Sequence, residues 1–281
     1  MTQAGQQRTT LGKEDHLEVD GFRIRTWESS PSQPSGTVII LAGLTWGLPT
    51  LRDPLAQQYR VIVLELPGCG TSAVNTRSQS VPELARTMAR AATQVGAAPY
   101  TLIGTSFSAH VALWQTLQAP DQVEALVLVA PTALLSLAGP LSGTAEDIVR
   151  RLCAHPDQAP GLAGLDPASV VQEHALRQRL TYGQHDAEAE RRLSEIACAT
   201  LVLFGSADML VAPEAARHYR ARIPNSNIAW VYDAGHLIEA ERPETLANVV
   251  SDYVERRETF IVGRQTGIRH AEVPPRVGGV R

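Results

Sequence analysis

Residues 100–129 limit the fold of this chain more than any other stretch. They read as a short apolar strand ending at Gly104, a tight turn, a helix-like segment at 107–117 and a second apolar strand at Val123–Val129. Buried strands that are joined through a helix pair in parallel, so this order predicts a parallel sheet covered by helices. Ser106 lies in the turn, within Gly-Thr-Ser-Phe-Ser.

Ser106 occupies a position typical of a nucleophile. A serine between a strand and a helix is held out from the backbone, and the helix N-terminus behind it favours developing negative charge. The pattern is G-x-S-x-S, in which Ser108 replaces the last glycine of the usual G-x-S-x-G. A single serine in such a pentapeptide is usually an ordinary turn or cap residue, so it is the strand, turn, helix and strand context that favours the functional interpretation.

The same alternation of strands and helices extends along the chain. Six further apolar runs predict strands, and Asp20-Gly21 between the first two predicts a hairpin; the runs are residues 17–19, 22–27, 37–42, 60–66, 200–204 and 227–232. We therefore predict an α/β fold with a mostly parallel central sheet and helices on both faces. Residues 137–197 are helix-rich without a convincing strand, which predicts a helical cap inserted after the sixth strand.

These patterns also predict domain boundaries. The core comprises residues 16–136 and 198–257, and the cap comprises 137–197. Residues 1–15 show no periodicity and are predicted to be disordered, and residues 258–281 are predicted to form a mobile C-terminal tail.

Size, charge and cysteine content narrow the class of protein. A chain of 281 residues is long enough for one large domain with an insertion. Its net charge of −4 gives no reason to expect a nucleic acid or an anionic membrane as partner. The three cysteines lie far apart, without metal-ligand spacing, which indicates free thiols in a reducing, cytoplasmic compartment. We expect a small-molecule substrate, no cofactor and no metal; a homodimer remains an open alternative.

Three side chains at predicted strand ends form the candidate catalytic group. Ligands collect at the carboxyl ends of parallel strands, where Ser106, Asp208 and His236 are all placed. A serine hydroxyl needs a base within hydrogen-bonding reach, and the base needs a carboxylate to orient it. His236 supplies the base and Asp208 the carboxylate, in the chain order that this architecture uses. Asp233, three residues before His236, is a competitor for the acid role.

The same edge of the sheet supplies candidate oxyanion donors and pocket residues. A tetrahedral intermediate needs N–H donors for its oxygen, and we expect them from the backbone of Leu44 and Phe107. We assign the substrate pocket to apolar side chains near these loops, which are Trp46, Leu134, Leu135 and Leu237. Leu134 and Leu135 follow the sixth strand, and for them the alternative is an ordinary place in the hydrophobic core.

With these motifs, the chain resembles the α/β-hydrolase superfamily, in the type that carries a helical lid. The resemblance covers about residues 16–256 and rests on the segments 41–44, 65–72, 104–108, 204–208, 235–239 and 242–244. The chain departs from the pattern at Ala42, where histidine is usual, at Glu65, where aspartate is usual, and at Ser108. The first two departures alter how loops near the site are braced, and none removes a catalytic group.

The resemblance implies a serine hydrolase that cleaves an ester or related acyl bond through an acyl-enzyme. Ser106 argues against haloalkane dehalogenases and epoxide hydrolases, which use aspartate at this position. Hydrolases that cleave carbon–carbon bonds in ring-fission products share the serine and the lid, but they usually carry tryptophan directly after the histidine, where this chain has Leu237. A non-catalytic ligand-binding protein on the same fold is a third hypothesis, because fold does not determine function.

Overall fold

The computed structural model describes residues 12–45, 48–134, 143–160, 162, 165–182, 185–212 and 214–260. Eight strands form its centre; they are β1 (Lys13–Val19), β2 (Phe22–Ser29), β3 (Thr37–Ala42), β4 (Arg60–Glu65), β5 (Tyr100–Thr105), β6 (Val123–Val129), β7 (Ala199–Gly205) and β8 (Ser226–Val231). They make one sheet in the order β1-β2-β4-β3-β5-β6-β7-β8. The pairs β1–β2 and β2–β4 are antiparallel and the others parallel, which confirms the predicted mostly parallel sheet.

Helices cover both faces of this sheet. The described helices are α1 (Pro49–Leu55), α2 (Val81–Gln94), α3 (Ser106–Gln118), α4 (Ala145–Leu152), α5 (Pro167–Thr181), α6 (Ala187–Arg192), α7 (Glu214–Arg222), α8 (Ile238–Glu241) and α9 (Pro243–Arg256). Helices α2 and α3 pack on one face, and α1 and α9 on the other. The predicted placement of helices on both faces is thereby confirmed.

The central strands are apolar at successive positions because both of their faces are buried. In β3, Ile39 and Leu41 belong to the hydrophobic cluster under α2 and α3, whereas Val38 and Ile40 belong to the cluster under α1 and α9. Side chains alternate between the faces of a strand, so a strand that is covered twice reads as a continuous apolar run. This is the pattern from which the strands could be predicted.

The order of the strands fixes where a ligand can bind. β3 lies between β4, to which the chain proceeds next, and β5, which starts the other half of the sheet. Chain direction across the sheet reverses at this point, and in open parallel sheets a crevice forms there beyond the carboxyl ends. The loop after β3 begins at Gly43 and the turn after β5 contains Ser106.

The structure corrects two predicted boundaries. β1 starts at Lys13, within the stretch predicted to be disordered, because its polar residues lie on an exposed edge and are held by pairing with β2. The C-terminal core extends past residue 257, since the Phe260 ring is buried against Tyr253 with their centroids 5.3 Å apart. The remainder of both predicted segments, 1–11 and 261–281, lies outside the described residues.

The part of the chain between β6 and β7 is helical where it is described. Residues 143–160, 162, 165–182 and 185–198 contain α4, α5 and α6 and no strand; we call them the inserted segment. No helix in the described ranges has both the length and the apolar character needed to span a bilayer.

Candidate active site

Ser106 lies on a strained corner between β5 and α3. Its backbone φ is 51°, in the left-handed region that residues with a side chain rarely adopt. Gly104 lets strand and helix approach, because a Cβ there would lie 2.5 Å from the carbonyl oxygen of Ser108. The Ser108 hydroxyl, which departs from the usual motif, is fully buried; it accepts from the N–H of Thr105 at 2.8 Å and donates to the Thr105 carbonyl at 2.9 Å.

Ser106, His236 and Asp208 form one continuous chain of hydrogen bonds. The Ser106 Oγ lies 2.8 Å from Nε2 of His236, and the His236 Nδ1 lies 2.9 Å from Oδ2 of Asp208. The structure therefore brings together the three side chains that the sequence order selected. In such a chain the imidazole can take a proton from the serine hydroxyl while the carboxylate stabilises the resulting positive charge.

Asp208 is held as an acceptor by the loop that follows β7. Its other oxygen, Oδ1, accepts from the N–H groups of Leu210 and Val211 at 2.7 and 3.0 Å. Burial alone would raise the pKa of Asp208, but the charge and hydrogen bond of His236 and these two N–H donors outweigh it and lower the pKa. The carboxylate thus stays ionised beside the imidazole.

The loop carrying His236 is tied to the inserted segment. The N–H groups of His236 and Leu237 both donate to the carbonyl of Leu152, at 2.7 and 3.1 Å. The buried carboxylate of Glu241 bridges the two chains, since it accepts from the N–H of Gly235 and from that of His155, each at 2.7 Å. Glu241 was missed at the sequence level because its hydrogen bonds form only in the folded chain.

The proposed oxyanion donors belong to the loop after β3 and to the first turn of α3. Phe107 is the second residue of α3, and the first N–H groups of a helix have no partner within it. Leu44 follows β3 and lines, together with Ser106, a small cavity of about 30 Å³. Leu237 lines this cavity as well, as the sequence predicts.

Other predicted residues lie elsewhere. Asp233 pairs with His155 and Arg242, each at 2.7 Å, and its side chain is half exposed, so it is not the partner of His236. Leu134 is fully buried in the hydrophobic cluster under α2 and α3, as the core alternative expects; its assignment to the pocket stays a prediction. Trp46 and Leu135 lie outside the described residues.

One face of α5 lines the small cavity beside Ser106, and the sequence analysis did not predict this. Val170, Glu173, His174 and Arg177 of α5 all line it, at the spacing i, i+3, i+4 and i+7 that defines one helical face. Glu173 and Arg177 are both more than nine-tenths buried. The spacing is visible in the sequence, but which face of α5 points inward is not.

A larger cavity adjoins the small one. It measures about 790 Å³ and shares Leu44 and Glu239 with the cavity beside Ser106. Its other walls include Asp166 and Ser169 at the start of α5 and Pro243 at the start of α9. In the described ranges no three His, Cys, Asp or Glu side chains gather as metal ligands.

Comparisons with known proteins agree with this architecture. The profile of the alpha/beta hydrolase family matches residues 38–249. The chain is 26% identical over 248 residues to the dihydrolipoyllysine-residue acetyltransferase component of the acetoin cleaving system of Cupriavidus necator; the match covers 80% of this chain and 64% of that protein. It therefore spans slightly less than two thirds of the length of that relative.

Two further proteins match over nearly their whole lengths. The 2-hydroxy-6-oxononadienedioate/2-hydroxy-6-oxononatrienedioate hydrolase of Escherichia coli K12 is 26% identical over 272 residues, covering 86% of this chain and 94% of the relative. The structure of a putative lipase from Acinetobacter baumannii superposes with a TM-score of 0.75 at 19% identity, covering 88% of this chain and 92% of that one.

Proposed function

Because the chain belongs to the alpha/beta hydrolase family, we propose that it is a serine hydrolase that cleaves an ester or related acyl bond of a small molecule. One observation carries the proposal: the hydrogen-bonded chain from Ser106 through His236 to Asp208, with links of 2.8 and 2.9 Å. It starts at the strained corner where a nucleophile of this fold stands.

In the proposed reaction Ser106 Oγ attacks the acyl carbonyl carbon while Nε2 of His236 accepts the hydroxyl proton. The tetrahedral intermediate collapses, the C–O bond to the alcohol breaks, and the imidazolium returns the proton to the departing oxygen. Water then attacks the acyl-enzyme and gives a proton to His236. The bond between the acyl carbon and Ser106 Oγ breaks, the imidazolium returns its proton to Oγ, and the carboxylic acid is released. Asp208 stabilises the imidazolium in both halves.

The developing oxyanion is bound by backbone N–H groups in this proposal. Phe107 supplies a donor from the first turn of α3 and Leu44 one from the loop after β3. Each such donor contributes on the order of 3 kcal/mol to transition-state stabilisation. The side chains of Phe107 and Leu44 do not take part. A substitution at either position therefore tests the shape of the loop and not the donated hydrogen bond.

We propose that the inserted segment acts as a lid. The cavity of about 30 Å³ beside Ser106 is far smaller than the roughly 300 to 1,000 Å³ of sites that hold small organic ligands. A substrate must therefore displace part of α5, and the adjoining cavity of about 790 Å³ can then take the larger part of the molecule. Closure over the bound acyl group excludes water from the first half of the reaction.

The proposal is tested by hydrolysis of p-nitrophenyl butyrate. We expect Ser106→Ala to lower kcat by about 10⁴- to 10⁶-fold, because the hydroxyl acts as one unit with the imidazole. Ser251→Ala is the matched control, since the Ser251 hydroxyl on α9 has no hydrogen-bond partner in the described part of the chain. Equal activity of the Ser106→Ala and Ser251→Ala enzymes would refute the proposal.

Carbon–carbon hydrolysis of a ring-fission product is the second candidate. The buried Arg177 guanidinium lines the cavity with Ser106, and such a group suits a substrate carboxylate. The Escherichia coli relative is named for hydrolysis of dicarboxylates of this kind. A substrate panel of p-nitrophenyl esters and ring-fission dienoates separates the candidates: good ester turnover without dienoate turnover dismisses the second.

A non-catalytic role is the third hypothesis. A protein that only binds ligands on this fold would leave p-nitrophenyl esters and dienoates intact and would show no Ser106-dependent rate. Turnover of either class that is lost in Ser106→Ala excludes this hypothesis.

A further inference from the structure

Glu173 is a buried acid that the reaction described above does not use. It lies on the face of α5 that lines the cavity with Ser106, and only 9% of it is exposed. Its Oε2 has no hydrogen-bond partner among the described residues. An unpaired polar atom at this depth is unfavourable, so an occupant that pairs with it gains affinity.

The free oxygen of Glu173 is placed directly over the loop after β3. A Cβ built on Gly43 would lie 2.6 Å from Oε2, so the carboxyl occupies the space that the missing side chain leaves. The next residue, Leu44, is the proposed oxyanion donor. The Oε2 atom is therefore close to the place where the carbonyl oxygen of a substrate would bind.

The surroundings hold the carboxyl in this place. The thiol of Cys69 donates a hydrogen bond to it, and the Arg177 guanidinium one turn along α5 attracts it. Cys69 is fully buried in the core, so one side of the carboxyl is anchored to the body of the protein.

We propose that Glu173 selects substrates whose acyl group carries a hydroxyl on the carbon next to the scissile carbonyl or on the following carbon. The ester group itself has no hydrogen-bond donor, so the donor must come from a substituent, and a hydroxyl on the first or second acyl carbon lies beside the scissile carbonyl. The hydroxyl would donate to Oε2 in the closed state. This inference rests on the proposed ester hydrolysis and adds the substrate class to it.

The expected preference for hydroxy esters can be estimated from the unpaired Oε2 atom of Glu173. A site that is built to bind a hydroxyl discriminates against the analogue that lacks it, because its own polar atom then stays buried without a partner. For one such atom we expect about a 10- to 100-fold ratio of kcat/KM.

The test compares ethyl butyrate with both enantiomers of ethyl 2-hydroxybutyrate and ethyl 3-hydroxybutyrate in a pH-stat at pH 8.5, above the pKa of about 7 of Glu173, so that the carboxyl is ionised and can only accept. The wild-type enzyme is expected to prefer at least one hydroxy ester over ethyl butyrate by 10-fold or more in kcat/KM. Glu173→Met keeps the length of the side chain without its polar atoms and should reduce this ratio to below about 3. Glu173→Gln keeps an amide oxygen as acceptor and should retain most of the preference.

Glu188→Met is the matched control, since Glu188 is exposed on α6 and forms its ion pair with Arg191 of the same helix; its ratio should equal that of the wild type. The proposal is overturned if no hydroxy ester is preferred by the wild type, or if Glu173→Met leaves the ratio unchanged. Failure of the proposed function looks different, because the wild type would then hydrolyse ethyl butyrate no faster than Ser106→Ala, or would hydrolyse none of the esters.

Discussion

The burial of Glu173 predicts a pH-dependent contribution to stability that one substitution removes. Burial raises the pKa of this carboxyl from 4.5 to about 7, against the opposing effects of the Cys69 thiol and the Arg177 charge. Each pH unit of such a difference corresponds to about 1.4 kcal/mol. The whole difference therefore amounts to about 3 kcal/mol of unfolding free energy.

The direction of the change in unfolding free energy with pH depends on whether the folded or the unfolded state binds the proton of Glu173 more tightly. In the unfolded chain Glu173 ionises near pH 4.5, whereas in the folded protein it keeps its proton until about pH 7. Between these values the folded state binds more protons, so rising pH lowers the free energy of unfolding. The favourable contribution is fully present below pH 4.5, is lost progressively up to pH 7, and does not change further above that.

Urea unfolding of wild type and Glu173→Gln, followed by tryptophan fluorescence between pH 5 and pH 8.5, measures this effect. Other titrating groups cancel in the difference between the two proteins. The stability of Glu173→Gln relative to wild type should increase by about 2 to 3 kcal/mol from pH 5 to pH 8. A difference that stays constant within about 0.5 kcal/mol would refute the reasoning.

Three further substitutions and one control test the strained corner at Ser106 and the hydrogen-bonded chain from Ser106 to Asp208. Asp208→Asn should lower kcat for p-nitrophenyl butyrate by about 10³- to 10⁴-fold, because the amide no longer stabilises the imidazolium; Asp233→Asn, on the exposed acid, should stay within about twofold of wild type. Gly104→Ala places a methyl 2.5 Å from the backbone oxygen of Ser108, so thermal unfolding should show a loss of about 3 kcal/mol, and an unchanged melting temperature would argue against the close approach. Ser108→Ala leaves the buried N–H of Thr105 without its acceptor and should cost about 1 to 3 kcal/mol in urea unfolding; a neutral result would contradict this assignment.

The strands and the corner were predictable because their patterns are local. The apolar runs of β3 and β5 require burial on both faces, and the short spacing around Gly104 requires a tight turn. The meeting of Ser106, His236 and Asp208 was predictable because strand ends in a parallel sheet share one edge. Their catalytic role stays a prediction that rests on this geometry.

What the sequence could not indicate depends on contacts between distant segments. β1 begins at Lys13 because β2 supplies its hydrogen bonds. The first residues of this edge strand are polar, so no alternation of apolar and polar residues predicts it. Phe260 extends the core because Tyr253 lies beneath it. From the sequence, Glu173 is expected to be a solvent-exposed helix residue. In the structure, the orientation of α5 places its carboxyl over Gly43.

The central claim is that His236 activates Ser106 as a nucleophile. Intact-mass spectrometry after exposure to a fluorophosphonate tests it most directly, because these reagents phosphonylate an activated serine hydroxyl. The wild-type protein should gain a single adduct that maps to the peptide containing Ser106, and Ser106→Ala should gain none over the same time. Labelling of Ser106→Ala at the wild-type rate, or a folded wild-type protein that stays unlabelled, would contradict the account.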